Sequence, residues 1–311
     1  MRFCRRRTRG TRPSEAADEL SALGLDFSTF SAKYEGLKQQ AGYRGRLAPS
    51  PTGHLHLGHA RTFWTAQERA KERGGVLVLR NEDLDRERCR PEFVAGIFED
   101  LRGFGFEWQE GPDCGGPYGP YSQSERMALY REPFEKLRAK GVIYPCTCSR
   151  KDVLRALQAP HQDEGIYPGT CRNRTHVVPN AKANWRFRVP DGETIAFEDA
   201  NFGAQRFLAG KDFGDFVVWR HDHVPSYQLA VVVDDAAMHI SEVVRGADLL
   251  LSTARQILLY RALGLEAPAF FHCALMTDHN GVRLAKRTDA LSLRSLRERG
   301  MKPEELRKAW G

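Results

Sequence analysis

The densest group of residues with chemical potential lies between Pro49 and His59, where the sequence reads PSPTGHLHLGH. Backbone N–H groups at the start of a helix attract anions, and glycine allows a ligand to approach the backbone closely. His56 and His59, on either side of Leu57-Gly58, add two side-chain donors. The pattern matches neither the Walker A motif nor the dinucleotide-binding fingerprint. It predicts a site for the phosphates of a nucleotide; the alternatives are a hydrogen-bonded histidine pair at a helix start or two metal ligands.

A second group consists of three thiols, Cys146, Cys148 and Cys171. Zinc takes four tetrahedral ligands, usually Cys or His, and a Cys-x-Cys pair places two thiolates close together. A fourth ligand is required, and His161 and His176 are the conventional candidates. The alternative is three reduced cysteines near one another by chance. The seven cysteines of the chain are an odd number at irregular spacing, which argues against a disulfide framework.

The elements that must position the first group follow a strand, helix and strand pattern. Residues 44–48 indicate a strand, 49–53 a turn, 60–73 a helix that ends before two glycines, and 76–80 a buried strand. Such a unit is typical of a doubly wound parallel sheet. Pro91–Gly103 and residues 124–140 are predicted to form two further amphipathic helices.

The pattern becomes less regular between residues 146 and 216. One helix near 150–157 and short strands at 184–189, 194–197 and 205–208 indicate an inserted α+β subdomain. Regular α/β patterning resumes at 227–233, at 240–244 and in a helix over 252–263. We therefore expect the first part of the chain (residues 43–145) and the third part (217–311) to share one sheet.

Composition excludes several classes of protein. The 311 residues are 41% hydrophobic and 28% charged, which is not typical of disordered, collagenous or coiled-coil chains. The longest apolar runs are too short to span a membrane, and the N-terminus lacks the apolar core of a secretory signal, so we expect a cytoplasmic protein without membrane contacts. Of the net charge of +7, six arginines before Glu15 supply +6. This arm is either a nucleic-acid contact or a disordered tail, and we assign it no function.

Five segments of the sequence resemble those of a known family. GRLAPSPTGHLHLGHART resembles the opening of glutamyl- and glutaminyl-tRNA synthetases, whose HIGH tetrapeptide is matched by residues 56–59. The resemblance continues through VLVLRNEDLDRER, PSYQLAVVVDD, EVVRGADLL and GVRLAKR, in the expected order, and covers the chain from Tyr43 to its end. It implies a Rossmann-like class I catalytic domain with α/β architecture and a zinc-binding insertion.

Within the family, the chain is most similar to the shortened branch that lacks an anticodon-binding domain. Only 24 residues follow Arg287, the last residue of the final motif. Val231 stands where full-length glutamyl enzymes usually carry a polar residue, and the thiol cluster followed by GIYPGTC resembles that branch's zinc site. We expect an N-terminal extension over 1–42, a catalytic domain over 43–145 and 217–311, and an inserted zinc-containing subdomain over 146–216.

The resemblance also implies ligand sites. A glutamate pocket must neutralise two carboxylates and one ammonium as it desolvates them. The residues implied for glutamate binding are Arg46, Ala48, Ser50, Glu82, Tyr227 and Arg245. From the residues alone, the alternative for Arg245 is a surface ion pair with Asp248, and for Glu82 a pair with Arg80 or Arg86.

ATP binding and catalysis are implied for His56, Gly58, His59 and Lys286, with Mg²⁺ bridging the phosphates. Lys286 lies in RLAKR, which corresponds to the KMSKS motif; Arg283 and Ala285 depart from that motif, so we expect slower activation. The resemblance assigns the fourth ligand of one structural zinc ion per chain to Tyr167.

The implied reaction has two steps. ATP and L-glutamate give glutamyl-adenylate without tRNA, and the glutamyl group passes to queuosine in the anticodon loop of tRNA(Asp). The acceptor is inferred wholly from the family. The alternatives are a truncated enzyme that charges the 3′ end of a tRNA, and a non-catalytic paralogue that binds an amino acid or RNA. We expect a monomer.

Overall fold

A parallel strand–helix–strand unit opens the described part of the chain. The computed structural model describes residues 42–149, 151–153, 166–177, 181–276 and 292–308. In it, β1 (Arg44–Leu47) pairs in parallel with β2 (Val76–Leu79), and α1 (Leu57–Glu72) connects them. This confirms the predicted unit, although α1 begins three residues before position 60. The helix starts early because His56 already has an extended backbone (φ −103°, ψ 162°) and acts as its N-cap.

Two glycines end α1 and turn the chain into β2. Gly74 has a φ of 57°, a conformation that costs glycine little. At Gly75 an added Cβ would lie 2.3 Å from the carbonyl oxygen of Tyr43. A larger residue at position 75 would therefore push β1 and the start of β2 apart.

Two helices follow β2. They are α2 (Pro91–Gly103), as predicted, and α3 (Met127–Ala139). The predicted helix over 124–140 is divided, because a 3₁₀ turn at Gln123–Glu125 precedes α3. Arg126 lies at the break with 1% of its surface exposed, and its guanidinium binds the carbonyl oxygen of Pro120 and the carboxylate of Asp234. The side chain is turned into the core, which explains the interruption.

The apolar run that begins the third part is helical. It lies in α4 (Tyr227–Ala237), and eight of its residues are buried. A helix buried on most of its sides shows little amphipathic periodicity, so pattern alone does not reveal it. The remaining elements of this part are β8 (Glu242–Gly246), a 3₁₀ turn (Ala247–Leu249), α5 (Leu250–Leu263), β9 (Ala269–Cys273), α6 (Leu293–Glu298) and α7 (Pro303–Lys308).

The first and third parts of the chain are neighbours, but their strands belong to separate hydrogen-bonded sheets. β1 and β2 form one sheet, and β8 pairs in parallel with β9 in another. The backbone N–H of Ser241 donates to the carbonyl of Arg44 at 2.9 Å. Two residues farther along β1, the side-chain Nη1 of Arg46 donates to the carbonyl of Val244 at 2.8 Å. Side-chain bonds thus replace a continuous ladder between β1 and β8.

The middle part contributes two groups of strands. An antiparallel sheet combines β3 (Ile143–Cys146), β4 (Asn184–Phe187) and β7 (Phe216–Trp219). The hairpin of β5 (Thr194–Asp199) and β6 (Gly203–Leu208) joins the sheet of β8 and β9, because Asp199 pairs in parallel with Phe270 of β9. A hairpin of the middle part therefore reaches the strand beside β8.

Two apolar clusters hold these layers together. One packs α3, α4 and α5 against the strands of the middle part and β9, and the other packs α1, α2 and α6 against β1 and β2. Among the described helices, none is long and apolar enough to cross a membrane.

Candidate active site

The ends of β1 and β2 bring several of the expected glutamate-binding residues together. Ala48 and the exposed Ser50 follow β1 directly, and Glu82 follows β2. The backbone N–H of Glu82 donates to the carbonyl of Pro49 at 3.0 Å. Because ligands of open α/β sheets bind at the carboxyl ends of the strands, this is the edge where a substrate is expected.

Glu82 is held by a buried arginine. Its Oε1 accepts hydrogen bonds from Arg80 Nη2 at 3.0 Å and Arg80 Nε at 3.3 Å. Arg80 is fully buried and also donates to Asp235 Oδ1 at 2.6 Å. Within the described part of the chain, the hydrogen bonds to Glu82 use Oε1 alone, so its role as an Arg80 partner is compatible with contact to a ligand through Oε2.

Arg46 approaches the same group from β1. Its side chain is 4% exposed, Nη1 donates to the Val244 carbonyl, and Nε lies 3.5 Å from Asp235 Oδ1. Burial lowers the pKa of Arg46, and the charges of Arg80 and Arg245 lower it further, whereas Asp235 opposes the shift. The cationic side chains therefore lie close enough to repel one another.

Arg245 enters from β8 with different partners. It is 4% exposed; Nη2 donates to Thr253 Oγ1 at 2.6 Å, Nε to His272 Nε2 at 3.2 Å, and Nη1 to Tyr227 Oη at 3.4 Å. Asp248, the alternative partner from sequence, has no described ion pair with it. Tyr227, at the first turn of α4, is 38% exposed, so it is accessible to a ligand beside Arg245.

The combined charges suit a zwitterion with a second carboxylate. Burial raises the pKa of Glu82, while the cations Arg80 and Arg46 lower it. A ligand ammonium beside Glu82 would favour its ionised form, and the cations Arg46 and Arg245 are suited to carboxylates. The structure thus brings together four of the expected residues, and Ala48 and Ser50 lie at the adjacent strand end.

The histidine motif lies at the start of α1. His56 precedes the helix, its backbone N–H donates to His59 Nδ1 at 3.4 Å, and the two rings are 6.1 Å apart. A Cβ added at Gly58 would meet no described protein atom within 4 Å, which leaves space for a ligand above the helix start. The hydrogen-bonded pair and the phosphate site are therefore compatible.

The chain after the final motif returns to this place. Ser292 forms a bridge with His56, and the backbone N–H of Leu293 donates to the Leu55 carbonyl at 2.8 Å. Lys286, with Arg283 and Ala285, lies outside the described residues.

The three thiols form a compact cluster. The Sγ atoms of Cys146, Cys148 and Cys171 lie within 4.8 Å of one another, and Cys148 and Cys171 are 3.6 Å apart. A tetrahedral zinc ion with Zn–S bonds of about 2.3 Å separates two thiolates by about 3.8 Å. The spacing therefore fits a zinc ion bound by all three.

Tyr167 occupies the fourth side of this cluster. Its Oη lies 3.3 Å from Cys146 Sγ and 3.5 Å from Cys148 Sγ. His176 is exposed and its Nδ1 contacts Thr175 Oγ1. His161 lies outside the described residues. The arrangement favours Tyr167 over His176 as a fourth ligand.

The surroundings of the thiols modify their acidity. Burial raises the pKa of Cys148 to about 11. Burial also disfavours the Cys171 thiolate. Hydrogen bonds outweigh this effect and lower the pKa of Cys171 to about 7, with a larger contribution from the Thr147 backbone than from Tyr167. The Arg186 guanidinium lies 3.9 Å from the centre of the Tyr167 ring, and its Nε is 3.3 Å from Cys146 Sγ. It adds positive charge beside ligands that must be deprotonated to bind a metal.

Sequence reasoning did not assign the residues that support the pocket. They are Asp235, Asp199, Thr253 and His272. The Asp-Asp pair after the apolar run of α4 and the single histidine in the apolar strand β9 are the available signals. Neither signal identifies a partner, because the partners are distant in sequence.

Comparisons with known proteins show the family of this chain. Residues 43–310 match the catalytic domain of tRNA synthetases class I (E and Q). The chain is 51% identical over 269 residues to a glutamyl-Q tRNA(Asp) synthetase of Symbiobacterium thermophilum. That alignment covers 84% of this chain and 83% of the relative. It is 48% identical over 266 residues to a glutamyl-Q tRNA(Asp) synthetase of Nitratidesulfovibrio vulgaris, covering 83% and 82%.

A solved structure shows the same fold. The glutamate-tRNA synthetase of Elizabethkingia anophelis aligns with a TM-score of 0.72 and 32% identity over 79% of this chain. The alignment covers 53% of that synthetase, so this chain spans about half of its length. The Rossmann-like α/β prediction is thereby confirmed.

Proposed function

The chain belongs to the family of class I tRNA synthetases for glutamate and glutamine and is a ligase, and we propose that it activates L-glutamate with ATP and transfers the glutamyl group to queuosine in tRNA(Asp). The observation that carries the first step is the convergence of Arg46, Glu82, Tyr227 and Arg245 at one edge of the fold. Its two guanidinium groups and its carboxylate match the charges of glutamate.

Activation requires positioning and charge stabilisation, without an enzyme nucleophile. A carboxylate oxygen of glutamate attacks the α-phosphorus of ATP, the bond from that phosphorus to the bridging oxygen breaks, and pyrophosphate leaves. His56, Gly58 and His59 are placed at the start of α1, where backbone and side-chain donors suit phosphates. Lys286 is assigned the stabilisation of the leaving group. Mg²⁺ bound to ATP would neutralise phosphate charge.

The second step is supported by the similarity to the two glutamyl-Q tRNA(Asp) synthetases, each matched over more than 80% of its own length. A hydroxyl of the queuosine cyclopentenediol would attack the adenylate carbonyl, with AMP as the leaving group. The first step of this reaction does not require tRNA. We propose that a monomer carries out both steps.

Zinc is proposed as a structural ion, one per chain, bound by Cys146, Cys148, Cys171 and Tyr167. The ligand spacing supports this proposal. We further propose that residues 146–216 form an inserted subdomain in a catalytic domain over 43–145 and 217–311. A closed site of this type would fix the inserted chain rather than take part in activation.

The decisive experiment transfers labelled glutamate to tRNA(Asp) prepared with and without queuosine, followed by nuclease mapping of the label. Label on the queuosine nucleotide, and none on the unmodified tRNA, is the expected result. Label on the terminal adenosine would replace the proposed acceptor with the 3′ end of a tRNA.

Glutamate-dependent exchange of pyrophosphate into ATP tests activation separately. Both enzymatic alternatives require this exchange, and the proposed function requires it in the absence of tRNA. A zinc-loaded, folded protein without exchange would favour a non-catalytic paralogue, for which the departures at Arg283 and Ala285 are the supporting observation.

A further inference from the structure

The uncharged partners of Arg245 set it apart from the neighbouring arginines. Arg80 and Arg46 face Asp235, whereas the described partners of the Arg245 guanidinium are an imidazole, a threonine hydroxyl and a phenol. A neutral acceptor fixes the orientation of a guanidinium without cancelling its charge. Arg245 is therefore both oriented and left with a positive charge for a ligand.

The neutral acceptor depends on a buried aspartate in the hairpin of β5 and β6. His272 is fully buried, and its Nδ1 lies 2.6 Å from Asp199 Oδ2. Burial and the nearby charge of Arg245 lower the pKa of His272 to about 4, although Asp199 opposes the shift. Since the carboxylate only accepts, the neutral ring must carry its proton on Nδ1. Nε2 then presents a lone pair to Arg245 Nε at 3.2 Å.

The two oxygens of Asp199 share the backbone N–H of His272, at 3.3 Å from Oδ1 and 3.1 Å from Oδ2, and otherwise have different partners. Oδ1 accepts from the backbone N–H groups of Asn201 at 3.1 Å and Phe202 at 2.9 Å, where the hairpin turns. Oδ2 faces the ring and the backbone N–H of His272. The carboxylate thus ties the hairpin turn to β9 and specifies the tautomer of His272.

From this geometry we propose that Asp199 and His272 are positioning residues for the amino-acid pocket. Asp199 holds His272 in the Nδ1–H tautomer, and His272 with Thr253 orients Arg245 toward a carboxylate of the bound amino acid. The inference rests on the proposed glutamate pocket and adds residues to which that proposal gives no role.

An isosteric substitution separates the tautomer from the packing. In Asp199→Asn the backbone N–H groups of Asn201, Phe202 and His272 keep the amide oxygen at the Oδ1 position as their acceptor, so the amide NH₂ faces His272 Nδ1. The ring proton then moves to Nε2, where it opposes the N–H of Arg245. A charged hydrogen bond contributes about 1.5–3 kcal/mol, and 1.4 kcal/mol is tenfold in an equilibrium constant.

The kinetic test measures pyrophosphate exchange in the full-length protein. Asp199→Asn is expected to raise the KM for glutamate about tenfold or more and to leave the KM for ATP within about twofold. The matched control is Asp215→Asn, since Asp215 is also buried but binds Tyr144 and Val189; its glutamate KM should stay near wild type. A wild-type glutamate KM in Asp199→Asn, or equal changes in both KM values, would overturn the proposal.

A conservative series at His272 gives a second kinetic measurement. Gln can place its amide oxygen near the position of Nε2, whereas Phe fills similar volume without an acceptor. His272→Gln is expected to retain a lower glutamate KM than His272→Phe. The reverse order, with both proteins folded, would contradict an acceptor role.

A spectrum of ¹⁵N-histidine-labelled protein measures the tautomer without activity. The resonances of His272, assigned by their loss in His272→Gln, should show a protonated Nδ1 and an unprotonated Nε2 in the wild type and the reverse in Asp199→Asn. A wild-type ring protonated on Nε2 would disprove the proposed role of Asp199. Absence of exchange in the wild type would instead contradict the proposed function, while the spectrum still decides the tautomer.

Discussion

The proposed amino-acid pocket and the thiol cluster are assembled in opposite ways. The pocket combines side chains from positions 46 to 245, and its arginines are held by buried partners on α4, α5, β8 and β9. The thiol cluster draws its four residues from positions 146 to 171 and is joined by contacts between the candidate ligands themselves. The pocket therefore depends on the complete fold, whereas the cluster would depend on the zinc ion that is proposed to bind there.

The comparison predicts that damage to one region leaves the other largely intact. The largest effect is expected for Arg80→Met, because Arg80 is fully buried and faces Glu82, Asp234 and Asp235. Removing one member of a buried ion pair typically costs about 3–5 kcal/mol. Urea denaturation should show a loss of this size in the free energy of unfolding, while the folded protein keeps its zinc.

Arg102→Met is the control for this loss, because Arg102 pairs with Asp113 on the surface. It should change the free energy of unfolding by less than about 0.5–1 kcal/mol. Similar losses in both variants would mean that the buried network supports the fold no more than a surface pair does.

The next effect is expected for Arg245→Met. Truncating a buried charged partner costs about 2–5 kcal/mol, so kcat/KM for glutamate in pyrophosphate exchange should fall about 30-fold or more. Arg261→Met, which removes an exposed partner of Glu193, should leave it within about twofold. A small loss in Arg245→Met would remove this arginine from the pocket.

Cys171→Ser tests the other side of the comparison. The variant should lose its zinc by elemental analysis and lower the free energy of unfolding by about 2 kcal/mol, which corresponds to about 4–8 °C in Tm. The KM for glutamate should change little, because no described contact links the thiols to the pocket arginines. Cys114→Ser, at an exposed thiol, should keep the ion; a large rise in glutamate KM for Cys171→Ser would show that the regions are coupled.

The smallest effect is expected within the cluster. Tyr167→Phe should weaken zinc binding about tenfold or more, measured by competition with a chromophoric chelator, because the phenol is replaced without loss of ring packing. His176→Ala should leave the affinity unchanged. The opposite result would assign the fourth ligand to the histidine.

Helices could be predicted from the sequence where the spacing of apolar residues and the helix-ending residues alone determine their bounds. Pro91–Gly103 was predicted with its correct bounds, and the helix of the histidine motif was predicted but placed three residues late. The break at Arg126 and the helical form of residues 227–233 depend on burial by distant parts of the chain, which no local pattern contains.

The same limit applies to the sites. Resemblance indicated Arg46, Glu82, Tyr227 and Arg245, and the structure brings them together. It gave no indication of Asp199 and His272, which are separated by 73 residues and meet only because β5 pairs with β9. Which residues support a pocket depends on which strands pair, and the spacing of residues in the sequence does not determine that pairing.

Among the described residues Arg245 has hydrogen-bond partners but no ion-pair partner, which has a consequence for the substrate-free protein. A buried cation without an anionic partner is unfavourable. A small anion from solution should therefore bind beside Arg245 until the carboxylate of a substrate replaces it. Substrate capture would then be an ion exchange, in which a carboxylate displaces chloride or sulfate. Glutamate would bind less tightly as the concentration of competing anions rises, and the choice of buffer salt would set the apparent affinity.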